Sequence, residues 1–150
     1  MSYTGRCGCG KVTLTITGAP VAVRQCWCRQ CQYFAGGGAA HNAMFHSSEV
    51  HIEGGLETHA YVADSGNTIT QWFCPECATP VYAQAAPRPQ FRTVRLGVLD
   101  QPHDLAPRMV IWTEAAPPWA VIDPALERHA RQPPPPVPAP ASVPDPAPAS

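Results

Sequence analysis

The chain has 150 residues, of which 14% are charged, and a formal net charge of −1 at pH 7. A chain of this length is expected to form one domain with a real hydrophobic core, so metal is not needed merely to compensate for small size. Its ten basic residues are scattered and form no basic stripe, which argues against a nucleic-acid partner.

The N-terminal stretch, residues 1–6, is followed by no apolar run of the secretory kind, and no run of about eighteen apolar residues predicts a membrane span. We therefore expect a cytoplasmic protein without a membrane partner. The seven cysteines are clustered and odd in number. In a reducing compartment such a set is more typical of metal ligands than of a disulfide framework.

Short strands are predicted along most of the chain. Val12, Leu14 and Ile16 alternate with threonines over residues 11–17, as in a half-buried strand, and a second strand over residues 21–25 ends just before Cys26. Turn residues separate further candidates at residues 40–45, 50–52, 57–62, 68–73, 79–83, 93–99 and 108–113. The pattern predicts an all-β, mainly antiparallel domain, with the first cysteine-rich loop at a strand-to-loop junction.

A helix is expected in one place, residues 124–131, at the edge of the fold. The core is expected to contain the large apolar residues of the strands: Val12, Leu14, Ile16, Phe45, Trp72, Phe73, Val81, Leu96, Val98 and Ile111. Trp112 and Trp119 are also interpreted as packing residues.

The end of the chain differs in composition. From residue 132 onwards nine of nineteen residues are proline, which leaves few backbone donors and little apolar bulk for packing. We therefore predict a folded domain over residues 1–131 and a disordered proline/alanine-rich tail over residues 132–150.

Two cysteine pairs can supply a four-ligand site. Cys7 and Cys9 are separated by one glycine, and Cys74-Pro75-Glu76-Cys77 has the two-residue spacing of a zinc knuckle. Joined on one ion, the pairs would connect the N-terminal strand to a hairpin some seventy residues later. Such a closed four-thiolate site would be structural. The competing interpretation is two disulfides or unmetallated core cysteines.

The remaining cysteines form a triplet, Cys26-Trp27-Cys28-Arg29-Gln30-Cys31. Three thiolates leave one corner of a tetrahedral zinc site to be filled, either by a histidine such as His41 or His46 or by an exchangeable ligand. Three thiolates make zinc a weak activator of water but a good partner for another thiol. An open site of this kind therefore predicts chemistry at a carbon-sulfur bond.

The cysteine spacing, together with motifs at residues 111–113 and 118–119, resembles the glutathione-dependent formaldehyde-activating enzyme family, whose domain is also called CENP-V/GFA. The resemblance covers roughly residues 3–130 and rests on these motifs: Cys7-x-Cys9, Cys26-x-Cys28-x-x-Cys31, Cys74-Pro75-x-Cys77, Ile111-Trp112-Thr113 and Pro118-Trp119. It implies an Mss4-like, β-tent fold with two zinc ions per chain.

The same resemblance implies roles for all seven cysteines. Cys7, Cys9, Cys74 and Cys77 match the structural zinc ligands, and Cys26, Cys28 and Cys31 match the catalytic ones. The implied activity is that of a carbon-sulfur lyase that joins formaldehyde to glutathione, so the implied partner is a small thiol.

Near the triplet the sequence departs from the usual family pattern at Trp27, Arg29 and Gln32, and Ala78 replaces a common glycine. We expect the first three to lie beside the open position. Arg29 would offset the negative charge of a three-thiolate zinc site or contact a substrate carboxylate, and the alternative is an arginine that simply faces solvent. His41 and His46 are either candidate proton donors or ordinary polar residues of a strand, and the sequence does not decide between the two. The leading hypothesis is a zinc-dependent carbon-sulfur lyase or adduct-forming enzyme. The alternative is a non-enzymatic zinc module for protein interaction or thiol sensing.

Overall fold

The structure is a computed structural model that describes residues 1–134. These residues form eleven strands, one α-helix and three short 3-10 helices. The strands are β1 Ser2–Arg6, β2 Thr13–Thr17, β3 Ala22–Cys26, β4 Ala40–His46, β5 Val50–Glu53, β6 Glu57–Val62, β7 Thr68–Phe73, β8 Pro80–Ala85, β9 Phe91–Arg95, β10 Met109–Ile111 and β11 Glu127–Arg128. The helix α1 spans Arg29–Phe34, and the 3-10 helices span Ser47–Glu49, Leu96–Val98 and Thr113–Ala115.

The strands make two sheets. A three-stranded antiparallel sheet has the order β1-β2-β5, and an eight-stranded sheet has the order β11-β10-β3-β4-β9-β8-β7-β6. Pairing in the large sheet is antiparallel except around β10, which runs parallel to both β3 and β11. The predicted all-β, mainly antiparallel fold is thus confirmed.

The main core joins the small sheet to one face of the large sheet. Leu14 and Ile16 of β2 belong to the same buried cluster as Phe45 of β4 and Val94 of β9. Strand alternation turns the neighbouring residues of β4 and β9 to the opposite face. The large sheet therefore has one face in the core and one face available for a site.

Most of the predicted core residues are buried, but Trp72 and Phe73 are only half-buried. Trp72 stacks on Tyr82 at a ring-centroid distance of 4.6 Å. The register between β7 and β8 shifts at residues 72 and 73. This irregularity directly precedes Cys74, so it sets the direction in which the chain enters the second cysteine turn.

The N-terminal strand β1 lacked a sequence signal because its two inward positions hold tyrosine and glycine. Tyr3 and Gly5 are buried there. A side chain on Gly5 would place a Cβ 2.3 Å from the carbonyl oxygen of Val98. Close backbone packing at Gly5 and the contact of the Tyr3 ring with Phe45 in the core therefore hold this strand in place.

The prediction of a helix over residues 124–131 is wrong. The Asp123 carboxylate accepts a hydrogen bond from the Ala125 N–H at 2.8 Å, which closes a turn. The N–H groups of Glu127 and His129 then donate to the carbonyls of Arg108 and Val110. These N–H groups pair with β10 and are therefore not available for the hydrogen bonds of a helix.

The chain after Cys26 also differs from the prediction, since a strand-to-helix junction replaces the expected loop. Cys28 is the N-cap of α1, and its Sγ accepts a hydrogen bond from the Cys31 N–H at 3.4 Å. The helix ends at Phe34, before Gly36 and Gly37, whose φ angles of 67° and 100° lie in the left-handed region.

The described part of the chain contains no helix long and apolar enough to cross a membrane. The predicted tail falls almost entirely outside the described residues, since only residues 132–134 of it are included. The domain boundary at residue 131 stays a prediction.

Candidate metal centres and active-site cleft

Cys7, Cys9, Cys74 and Cys77 come together as predicted, with all four sulfurs within 4.8 Å of one another. Two turns supply them, one between β1 and β2 and one between β7 and β8. Cys7 and Cys74 are fully buried, and the other two lie nearer the surface. The cluster therefore joins the small sheet to the large one.

The sulfur spacing of this cluster fits a tetrahedral ion. Zinc-sulfur bonds of about 2.3 Å place two sulfurs about 3.8 Å apart. The Cys9 sulfur lies 3.5 Å from that of Cys7 and 3.8 Å from that of Cys74. Hydrogen bonds from the side chain and backbone of Thr79 lower the pKa of Cys77 to about 5, so this ligand is ionised at neutral pH. The four residues could thus hold zinc.

Ala78 closes the second cysteine turn in a strained conformation. Its φ is 59°, in the left-handed region, and its N–H donates to the Cys74 carbonyl at 2.8 Å. A non-glycine residue pays about 1–2 kcal/mol for this conformation. The turn, rather than the side chain, is what the cysteine pair requires at this position.

Cys26, Cys28 and Cys31 form a second group whose sulfurs also lie within 4.8 Å of one another. Cys26 ends β3, Cys28 caps α1 and Cys31 lies in its first turn. Cys26 and Cys31 are buried, whereas Cys28 is half-buried. One sulfur of the group is thus more accessible than the other two.

Without a bound cation, the three thiols of this group cannot all be ionised at the same time. Hydrogen bonds from the thiols of Cys26 and Cys31 lower the pKa of Cys28 to about 3, and the pKa of Cys26 is raised by its hydrogen bonds to Cys28 and Cys31. The group therefore concentrates one negative charge on Cys28. A cation is needed to ionise the rest, and the soft donor set suits zinc.

Among residues 1–134, no histidine or carboxylate joins this group of three sulfurs. The His41 Nε2 atom lies 3.2 Å from the Gln25 amide nitrogen, and the His46 ring packs against Phe91 with centroids 5.0 Å apart. His41 of β4 is the cross-strand partner of Gln25, which precedes Cys26 in β3 and therefore points to the opposite face of the sheet. Neither histidine lines the cleft described below, which favours the interpretation of both as ordinary polar residues of a strand.

Gln32 fastens the cysteine-rich helix to the end of the large sheet. Its buried amide nitrogen donates to the carbonyls of Trp27 at 2.6 Å and Ala115 at 2.9 Å, and its oxygen accepts from Arg29 at 2.6 Å. The exposed Arg29 also lies over the ring of Tyr33. Trp27, Arg29 and Gln32 do not line the cleft. The expectation that they lie beside the open position is therefore wrong.

The two tryptophans of the later motifs differ. Trp112 is buried, lines the cleft and has a φ of 60°, whereas Trp119 is 68% exposed and meets the edge of Trp27 at a centroid distance of 6.3 Å. The prediction of a packing role is therefore confirmed for Trp112, whereas Trp119 packs against Trp27 but leaves most of its side chain exposed.

Gln32→Leu is expected to lower the free energy of unfolding by about 1–3 kcal/mol, because leucine leaves two carbonyls unpaired. Urea denaturation followed by circular dichroism measures the change. Gln30→Leu is the matched control, since the Gln30 side chain makes no hydrogen bond to the described residues. Equal midpoints for the two variants would show that the Gln32 clamp contributes nothing.

The second cysteine group lies in a cleft on the free face of the large sheet. The cleft residues of each strand alternate with those of the core, and the enclosed part has a volume of about 150 Å³. That space suits a group the size of benzene. Six strands contribute side chains to this cleft: Arg24 and Cys26 of β3, Asn42 and Met44 of β4, Thr93 and Arg95 of β9, Ala83 of β8, Gln71 of β7 and Tyr61 of β6.

A buried polar chain crosses the floor of this cleft. The Arg95 guanidinium donates to Asn42 Oδ1 at 2.5 Å and to Gln71 Oε1 at 2.8 Å. The Gln71 amide nitrogen in turn donates to the Tyr61 hydroxyl oxygen at 3.3 Å. Because Arg95 fixes which way the Gln71 amide points, Tyr61 is an acceptor here and its own proton is directed elsewhere.

The Tyr61 hydroxyl stays protonated in this surrounding. Burial raises its pKa, and the charges of Cys31 and Cys28 raise it further. Sequence reasoning missed the whole chain of Asn42, Gln71, Arg95 and Tyr61. The available signal was polar residues at strand positions that alternate with core residues, and these converge only when the register of β4, β9, β7 and β6 is known.

Comparison with known proteins identifies the family. A family model described as glutathione-dependent formaldehyde-activating enzyme matches residues 2–115. A crystal structure of a Rhodobacter sphaeroides protein, a structural genomics target, is similar with a TM-score of 0.54 and 21% sequence identity, over 67% of this chain and 91% of that one. At this identity the likeness concerns the fold. The curated proteins gave no match. Since the family model spans most of the sequence, the chain belongs to the glutathione-dependent formaldehyde-activating enzyme family.

Proposed function

We propose that the protein is a zinc-dependent carbon-sulfur lyase that joins a small thiol to a carbonyl compound and cleaves the adduct. Glutathione and formaldehyde are the pair named by the family. The proposal is carried by one group of three cysteines, which is one ligand short of a tetrahedral set. Their sulfurs line a cleft. The same cleft contains the Tyr61 hydroxyl, whose orientation is fixed by the hydrogen bond from Gln71. Such a cleft favours an enzyme over an interaction or thiol-sensing module.

In this proposal the two cysteine groups have different roles. Cys7, Cys9, Cys74 and Cys77 form a closed, structural zinc site. Cys26, Cys28 and Cys31 hold the catalytic zinc. Zinc bound there would keep the sulfur of a substrate thiol ionised at neutral pH and ready to attack carbon.

The chain's own residues supply the rest of the reaction. The cleft holds the carbonyl carbon next to the substrate sulfur, and the sulfur-carbon bond forms as the carbonyl π electrons move to oxygen. The Tyr61 hydroxyl donates its proton to that oxygen. The thiol releases its own proton to solvent when it ionises, and the phenolate takes up an equivalent proton from solvent, so that no net proton is gained or lost. The chain of Asn42, Arg95 and Gln71 holds Tyr61 in the donating orientation. Cleavage follows the same steps in reverse.

Tyr61→Phe is expected to lower kcat about 100-fold, because it removes the proton donor. KM and zinc content should stay near the wild-type values, since phenylalanine keeps the packing. The matched control is Tyr33→Phe, at a tyrosine that is 69% exposed. Unchanged kcat in Tyr61→Phe would contradict the assignment.

The activity itself is tested by exchange spectroscopy with ¹³C-labelled formaldehyde and glutathione. The zinc-loaded protein should accelerate formation and breakdown of S-hydroxymethylglutathione above the spontaneous rate. A panel of other small thiols and aldehydes tests whether another pair is preferred. No acceleration with any pair would contradict the proposed function.

A further inference from the structure

Two arginines that line the cleft, Arg24 and Arg88, are half-buried. Among residues 1–134 the ion pairs involve Lys11, His129 and Arg131, and neither Arg24 nor Arg88 is paired with a carboxylate. Arg24 has a buried Nε atom without a hydrogen-bond partner. A buried N–H group without an acceptor is unfavourable, and an acceptor supplied by a ligand removes that cost.

Their position relates them to the cysteine group. Arg24 and Cys26 lie two residues apart on the same face of β3, which places their Cα atoms about 7 Å apart. Arg88 lies in the turn between β8 and β9 and lines the same cleft. A ligand that reaches the Cys26 sulfur group can therefore also reach both guanidiniums.

The polar floor of the cleft does not neutralise these charges. Asn42, the cross-strand partner of Arg24, uses its side-chain oxygen to accept from Arg95. The acidic residue of the cleft wall is Asp64, which makes no ion pair with either arginine. The arginine side of the cleft is thus positive and suited to a planar anion such as a carboxylate.

We propose that Arg24 and Arg88 form a carboxylate subsite, so that the thiol substrate must carry a carboxylate group. This inference rests on the proposed function for the thiol, and it adds a substrate class to it. Neutral thiols would lack the second attachment point and bind weakly.

The test uses zinc-loaded, full-length protein and isothermal titration calorimetry. Two matched probes are 3-mercaptopropionate and 3-mercapto-1-propanol, which differ in the carboxylate alone. We expect the acid to bind at least about tenfold more tightly. Arg24→Met and Arg88→Met should each weaken the acid about tenfold and leave the alcohol unchanged. Arg108→Met, at an exposed arginine outside the cleft, should change neither.

A third probe, 3-(methylthio)propionate, separates the subsite from the thiol chemistry because it has the carboxylate but no ionisable sulfur. Arginine-dependent binding of this thioether supports the subsite. If the neutral thiol does not bind, that result counts against the proposed function but not against the subsite. Equal wild-type affinities for acid and alcohol, or acid affinity unchanged in both arginine variants, would overturn the subsite and leave the thiol chemistry standing. No binding of any probe would overturn both. Circular dichroism verifies the fold, and Arg24→Lys, which keeps the charge, should retain part of the preference for the acid.

Discussion

Cys28→Ser is expected to abolish measurable activity and to remove one of the two zinc equivalents that the two cysteine groups predict. Serine cannot replace the most accessible and most acidic of the three sulfurs, and two remaining thiols hold zinc poorly in competition with water. Cys28 lies outside the main core cluster and is only half-buried, so the fold should be retained. Metal analysis together with circular dichroism and the exchange assay measures these outcomes.

The control for this variant is Cys9→Ser, which alters the exposed member of the other group. It should lower the stability while the remaining folded protein keeps its activity. Two zinc equivalents in Cys28→Ser, or full activity, would show that the second group is not the reactive site.

Cys74→Ser is expected to unfold the protein at room temperature or to leave it close to unfolding. The Cys74 side chain is completely buried within the main core and belongs to the four-cysteine group. Loss of the ion would remove its contribution to folding and leave three thiols without a partner. The cost should be of the order of 5 kcal/mol or more, comparable with the whole stability of a domain.

Urea denaturation with and without a strong chelator measures this cost. Chelation of the wild-type protein should lower its midpoint, and chelator should have little further effect on Cys74→Ser. A variant with the wild-type midpoint would mean that the four cysteines are packing residues and that no ion contributes to the fold.

The cysteine grouping could be predicted from the sequence because each pair lies in a local turn and counting leaves few partitions. Cys7 with Cys9 and Cys74 with Cys77 come from two such turns, and their convergence follows from strand pairing. The all-β class could be predicted as well, since alternation and turn residues recur along the chain. Both signals depend on residues that are close in the sequence, so they do not require knowledge of the tertiary structure.

The cleft could not be predicted because it depends on register. Arg95, Asn42 and Gln71 meet across strands that are distant in the sequence. A shift of one residue in any pairing would move these side chains to the core face. His41 illustrates the same point, since it is near the cysteines in sequence but alternates to the other side of β4. Proximity along the chain is therefore no guide to the residues that face the cleft.

The short elements beside the site were missed for a similar reason. The helix α1 begins where a cysteine sulfur replaces the usual oxygen cap, and that role is visible only once the backbone is folded. Gln32 was expected beside the open position of the cysteine group, yet its amide is buried and donates to two carbonyls from separate segments. Long-range hydrogen bonding decided its burial.

The central claim is that Cys26, Cys28 and Cys31 hold an ion with one position open to a substrate thiol. Selenium K-edge X-ray absorption tests it most directly, with 3-selenopropionate bound anaerobically to the zinc-loaded protein, because the signal comes from the ligand atom and not from the structural zinc. We expect a zinc neighbour to selenium in the wild-type protein and none in Cys28→Ser. A wild-type spectrum without a zinc neighbour, from protein that has bound the selenol, would contradict it.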